Sequence, residues 1–106
     1  MSGNRRIGNA AEAFVAGVLA EEHPDSLVIP LQQDYGADLA QMREYDPQWR
    51  LIEVKSAKTR SRALKAPLTP AEKALQARLG ARYVVVRVWR HPGRPKDTFE
   101  VLSRGA

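Results

Sequence analysis

The stretch Trp49-Arg50-Leu51-Ile52-Glu53-Val54-Lys55-Ser56 decides the fold, because it reads as a buried strand that nevertheless carries two opposite charges. Side chains alternate across a strand, so Trp49, Leu51, Glu53 and Lys55 share one face and Arg50, Ile52, Val54 and Ser56 the other. Apolar residues therefore lie on both faces, as expected of a strand covered on both sides of a sheet. Ionised groups in such a place are costly unless paired, hydrogen-bonded or bound to a metal. Glu53 and Lys55 also lie toward the C-terminal end of the strand, about 7 Å apart. Strand ends of this kind commonly carry the site in α/β proteins.

Working outward toward the N-terminus, residues 43–48 contain Asp46-Pro47 and read as a polar hairpin loop. Residues 38–42 form a second strand with Asp38, Ala40 and Met42 on one face, and Gln33-Asp34-Tyr35-Gly36 a turn before it. Residues 27–31 read as a short strand at the sheet edge, since Pro30 cannot donate to a ladder. Ahead of these, Ile7, Ala11, Phe14, Val15, Val18 and Leu19 recur at helical spacing from about residue 4 to 22, with His23-Pro24 as the stop. Glu12 falls at the margin of that apolar stripe. It is either a solvated helix glutamate or one that reaches inward along the sheet.

Toward the C-terminus, residues 56–67 hold Lys58, Arg60, Arg62 and Lys65, no acid, and no periodicity that fixes helix or strand. The segment reads as a mobile basic loop. A solvated charge run would explain it, but its place directly after Lys55 favours contact with phosphate. A second helix opens with Thr69 as N-cap, Pro70 at the first position and Glu72 completing a capping box, and Gly80 closes it. Capping accounts for Glu72, which is left out of the candidate site. Lys73 and Gln76 on this helix either project toward a ligand or face solvent. Residues 82–89 are rich in β-branched side chains and form an inner strand, His91-Pro92-Gly93-Arg94-Pro95 turns, and residues 98–102 return as an outer strand. The expected fold is α/β: helix, three strands, helix, strand, strand, in a mixed central sheet flanked by helices, with a parallel pair across the second helix.

The 106 residues suit a single domain, residues 1–106. The absence of cysteine excludes disulfides and thiolate metal sites and fits a reducing cytoplasm. No apolar run is long enough to span a membrane, and Asn9 and Glu12 interrupt any apolar leader, so a soluble, cytoplasmic protein is expected. The net charge of +5 is unevenly spread. Residues 1–53 hold four Lys/Arg against nine Asp/Glu, and residues 54–106 hold thirteen against three. The basic half suits a polyanion such as nucleic acid, and the acidic half suits divalent cations.

Glu12, Asp38, Glu53 and Lys55 thus sit on elements able to converge. Two carboxylates in one site repel unless a cation lies between them, and hard oxygen ligands select magnesium or manganese. Such an ion polarises a phosphoryl oxygen and lowers the pKa of bound water, while a nearby lysine orients that water and offsets charge on phosphorus. This is the chemistry of a phosphodiesterase.

Gly36-Ala37-Asp38, followed by Leu51-Ile52-Glu53-Val54-Lys55 and preceded by Gly8-Asn9-Ala10-Ala11-Glu12, resembles the PD-(D/E)XK nuclease superfamily over residues 8–89. Glu53-Val54-Lys55-Ser56, the basic segment, Leu68-Thr69-Pro70 and Tyr83-Val84-Val85-Val86-Arg87 are similar to its VRR-NUC branch, and almost as similar to NO VEIN C-terminal-type nuclease domains. Ala37 replaces the usual proline, and Glu72 stands where VRR-NUC members usually carry glutamine, with Gln76 one turn on. The resemblance implies a restriction-endonuclease-like αβββαβ core. It implies Mg²⁺ or Mn²⁺ held by Asp38, Glu53 and Val54 with Glu12 completing the shell, Lys55 as signature lysine, and DNA, structured or branched, as substrate. Lys58, Arg60, Arg62, Lys65, Lys73 and Gln76 are the expected nucleic-acid contacts. A catalytically inactive nucleic-acid-binding module of the same fold is the alternative, and a protein-binding subunit a third reading. A homodimer or higher assembly is expected if both strands of a duplex are to be cut.

Overall fold

A computed structural model describes residues 2–32, 36–91 and 98–105, the side chains of residues 2–9 and 47 excepted. In chain order the described elements are α1 (Ser2–Glu22), β1 (Leu27–Pro30), β2 (Leu39–Arg43), β3 (Asp46–Ala57), α2 (Arg60–Lys65), α3 (Pro70–Leu79), β4 (Tyr83–His91) and β5 (Thr98–Gly105). The strands form one sheet in the order β1-β2-β3-β4-β5. Neighbours are antiparallel except β3 and β4, which are parallel because two helices carry the chain back between them. The fold is therefore α/β with a mixed five-stranded sheet flanked by helices. Among the described residues no helix is long and apolar enough to cross a membrane.

Strand alternation sorts the core into two layers. On one face Leu39, Ile52, Val86 and Val88 pack against Val15 and Leu19 of α1, and the Phe14 and Phe99 rings lie 5.6 Å apart at its margin. On the other, Tyr83 and Val85 pack with Ala37, Leu51, Leu68, Leu75 and Leu79 beneath α3. Glu53 and Lys55 of β3 lie on this second face, whereas Arg50 lies on the first with Ile52. β1 takes the predicted edge, Pro30 at its end, and β5 is the outer strand opposite.

Three expectations need correction. The basic segment is not a loop: β3 runs on to Ala57, and Arg60–Lys65 forms α2, with the Thr59 side chain accepting from the Arg62 amide at 3.2 Å. The order is thus αβββααββ. Six residues with only Ala63 buried are too short to show a period; tertiary contacts hold them. Arg87 Nη1 donates to the Ala63 and Ala66 carbonyls at 3.0 and 2.6 Å, and Trp89 Nε1 to the Lys58 carbonyl at 3.1 Å. The hairpin at residues 43–48 is also tighter than a loop, since Arg43 pairs with Asp46 across Glu44-Tyr45. Finally, β2 begins at Leu39, leaving Asp38 just ahead of it. Of the expected turns, residues 33–35 and 92–97 lie outside the described residues.

Candidate functional site

The site forms where β2 parts from β3. Leu39 pairs with Ile52, and β3 then continues for five residues with β4 alone as its strand neighbour. Asp38 occupies the parting point. Its amide donates to the Ile52 carbonyl at 2.8 Å, its carbonyl accepts from the Leu31 amide at 2.9 Å, and its Oδ2 accepts from the Val54 amide at 2.6 Å. The carboxylate thus satisfies an edge amide that β2 no longer reaches. Gly36 makes this approach possible: its φ of 75° is left-handed, and a Cβ there would meet Leu75 Cδ2 at 3.3 Å. The hydroxyl of the fully buried Tyr83 donates to the Gly36 carbonyl at 2.7 Å, fixing the backbone two residues ahead of Asp38.

Four acids gather around this edge. Glu12, from α1, hydrogen-bonds Asp38; burial, that hydrogen bond and the Asp38 charge push its pKa up to about 7. Glu53 is only 6% exposed. Burial first, then the charges of Asp38 and Glu72, push its pKa up to about 9, although Lys55 pulls the other way. The fourth acid is Glu72, which sequence reasoning set aside. Burial would raise its pKa, but hydrogen bonds from Lys55 and from the Thr69 amide outweigh burial and hold it below its usual range. Lys55 Nζ lies 2.8 Å from Glu72 Oε1 and 3.5 Å from Glu53 Oε2. Burial and the charges of Glu53, Glu72 and Asp38 likewise keep the Tyr83 hydroxyl protonated, well above its ordinary range.

The structure therefore brings Glu12, Asp38, Glu53 and Lys55 together, with Val54 presenting its amide to the same edge. Glu72 and Tyr83 join them unannounced by the sequence. Glu72 had a sufficient structural explanation as a cap, and Tyr83 sits in an apolar strand where its hydroxyl has no sequence signal. Lys58, Arg60, Arg62 and Lys65 are exposed on and beside α2, which packs on the face of the sheet that carries Lys55. Arg60 lies over the Trp89 ring, 5.5 Å from its centroid, and 3.9 Å from Glu100. Lys73 is exposed on α3, whereas Gln76 is half-buried and its carbonyl accepts the Gly80 amide that ends the helix.

Chemically, the donors are all oxygen, and two of the four carboxyls, Glu12 and Glu53, hold protons far above the usual range because burial and then the neighbouring carboxylates penalise their charged forms. A hard dication would relieve that repulsion, so the donor set fits Mg²⁺ or Mn²⁺. Among the described residues, no three acids already stand in a metal-holding arrangement. Comparison with models of protein families, with curated proteins and with solved structures returns no match for this chain.

Proposed function

We propose that the chain is a metal-dependent endonuclease that hydrolyses phosphodiester bonds of DNA, structured or branched DNA included. The observation that carries this reading is the convergence of Glu12, Asp38, Glu53 and Lys55 on the open edge of β3. We assign the fold to the restriction-endonuclease-like core of the PD-(D/E)XK superfamily, with which the strands, the parallel β3–β4 pair and the placement of the acids agree.

Asp38 and Glu53 would hold Mg²⁺ or Mn²⁺, with Glu12 completing the shell. Val54 would add its carbonyl, which follows its amide toward the β2 side because one residue of a strand directs both groups the same way. The ion, when bound, supplies Lewis acidity and a more acidic water. The chain's own groups do the rest. Lys55 offsets the charge that grows on the phosphoryl oxygens and orients the attacking water. The basic residues of α2 and its flanks bind the phosphate backbone beside the site.

The test is incubation of the purified protein with single-stranded, duplex and four-way-junction DNA, with and without Mg²⁺ or Mn²⁺. Metal-dependent cleavage that disappears in Lys55→Ala is expected. The second reading, a nucleic-acid-binding module without turnover, is favoured by the lack of a ready-made three-acid arrangement among the described residues. Salt-sensitive binding without cleavage under any metal would establish it.

A further inference from the structure

Glu72 does two jobs with one oxygen. The capping box predicted for α3 is formed: Thr69 Oγ1 accepts from the Glu72 amide at 3.2 Å, and Glu72 Oε1 accepts from the Thr69 amide at 2.8 Å. The same Oε1 accepts from Lys55 Nζ at 2.8 Å, closer than the 3.5 Å between Lys55 and Glu53. A capping box needs no lysine, and this glutamate is only 8% exposed, so the contact is not a chance surface pair.

We propose that Glu72 is the positioning residue for Lys55, fastening its ammonium to the N-terminus of α3 at the mouth of the acid cluster. A lysine on a flexible four-carbon stem has many rotamers, and one partner rarely fixes it. Glu53 is a poor second anchor, because Asp38 and Glu72 also engage it and the nuclease reading assigns it to the metal. Glu72 is a firm one. Its carboxylate is held by a backbone amide of the helix it caps, and the partial positive charge of the helix N-terminus favours it. The lysine therefore keeps its place through a contact outside the proposed metal ligands. The catalytic consequence rests on the nuclease reading; the geometry does not.

Two variants separate positioning from capping. Glu72→Gln retains a box-forming residue and an acceptor for the Thr69 amide but loses the charge that holds Lys55. Thr69→Ala breaks the cap and leaves the carboxylate. For both, kcat and KM on whichever DNA the wild type cleaves are measured with the thermal midpoint. The rate at which an amine-reactive ester acylates Lys55 is followed in parallel by mass spectrometry. Glu72→Gln should lower kcat about 100-fold, leave KM unchanged, speed acylation of Lys55 and lower the midpoint no more than Thr69→Ala does, since the lost charge also steadies the N-terminus of α3. Thr69→Ala should lower the midpoint and leave kcat and acylation as they are. Wild-type kcat in Glu72→Gln, or a loss that merely follows the midpoint, overturns the proposal. If the wild type cleaves no DNA, the nuclease reading falls by itself and acylation decides: a faster rate in Glu72→Gln upholds the Lys55–Glu72 link, and an unchanged rate overturns it.

Discussion

Three of the four acids of the site are tuned by their surroundings. Glu12 is raised by burial and Asp38, Glu53 by burial and two other carboxylates, and Glu72 is lowered by Lys55 and a backbone amide. Groups this interdependent act as a unit, so Lys55→Ala, Glu53→Gln and Asp38→Asn should each abolish cleavage while circular dichroism shows the fold retained. Cleavage surviving in all three would place the activity elsewhere. The same tuning makes stability pH-dependent. The unfolded chain releases the protons of Glu12 and Glu53 near 4.5, and the folded protein holds them up to about 7 and about 9. Between those limits the folded state binds more protons, so stability falls as pH rises. Without metal, the urea midpoint should drop from about pH 5 to about pH 9, and Glu53→Gln should flatten the upper part of that drop. A midpoint that climbs over this range would refute the assignment.

At the level of elements, legibility followed packing. β4 and α3 announce themselves through β-branched residues and a Thr-Pro-x-Glu start, and both stand where expected. The helix α2 leaves only the Thr59 cap as a local trace, because Arg87 and Trp89, some 25 residues later, hold it and the residues beside it through contacts that no local window contains. Of the site, Asp38, Glu53 and Lys55 were legible as charges out of place in strands. Glu72 was not, since its capping signal hid its second partner. Arg87→Ala should leave the Ala63 and Ala66 carbonyls unpaired and cost about 1–3 kcal/mol, read as a lower denaturant midpoint. Neutralising Lys58, Arg60, Arg62 and Lys65 together should weaken DNA binding and make the log–log salt dependence shallower by up to about 3.6, at about 0.9 per phosphate contact. An unchanged slope would mean that these charges are merely solvated.

The described residues of the whole molecule offer one acid cluster and two strand edges. β1 and β5 end the sheet, and the exposed Leu27 and Ile29 make the β1 edge attractive to a second copy. Cutting both strands of a duplex in one encounter takes two clusters related by an axis, so light scattering with DNA and Mg²⁺, the mass of the DNA subtracted, should give about twice the 11.8 kDa of one chain. A protein share of one chain under those conditions would refute the assembly. The sheet order has another consequence, for the time the chain takes to fold. Each strand neighbours its successor, and all but one pairing joins strands through a short connection or a tight hairpin. Only β3 and β4 must wait for residues 58–82 to close a long crossover, and closure entropy makes that the slow event. Substitutions that loosen the β3–β4 crossover, such as Arg87→Ala, should slow refolding in stopped-flow traces. Changes in the β2–β3 hairpin should act mainly on how fast the protein comes apart.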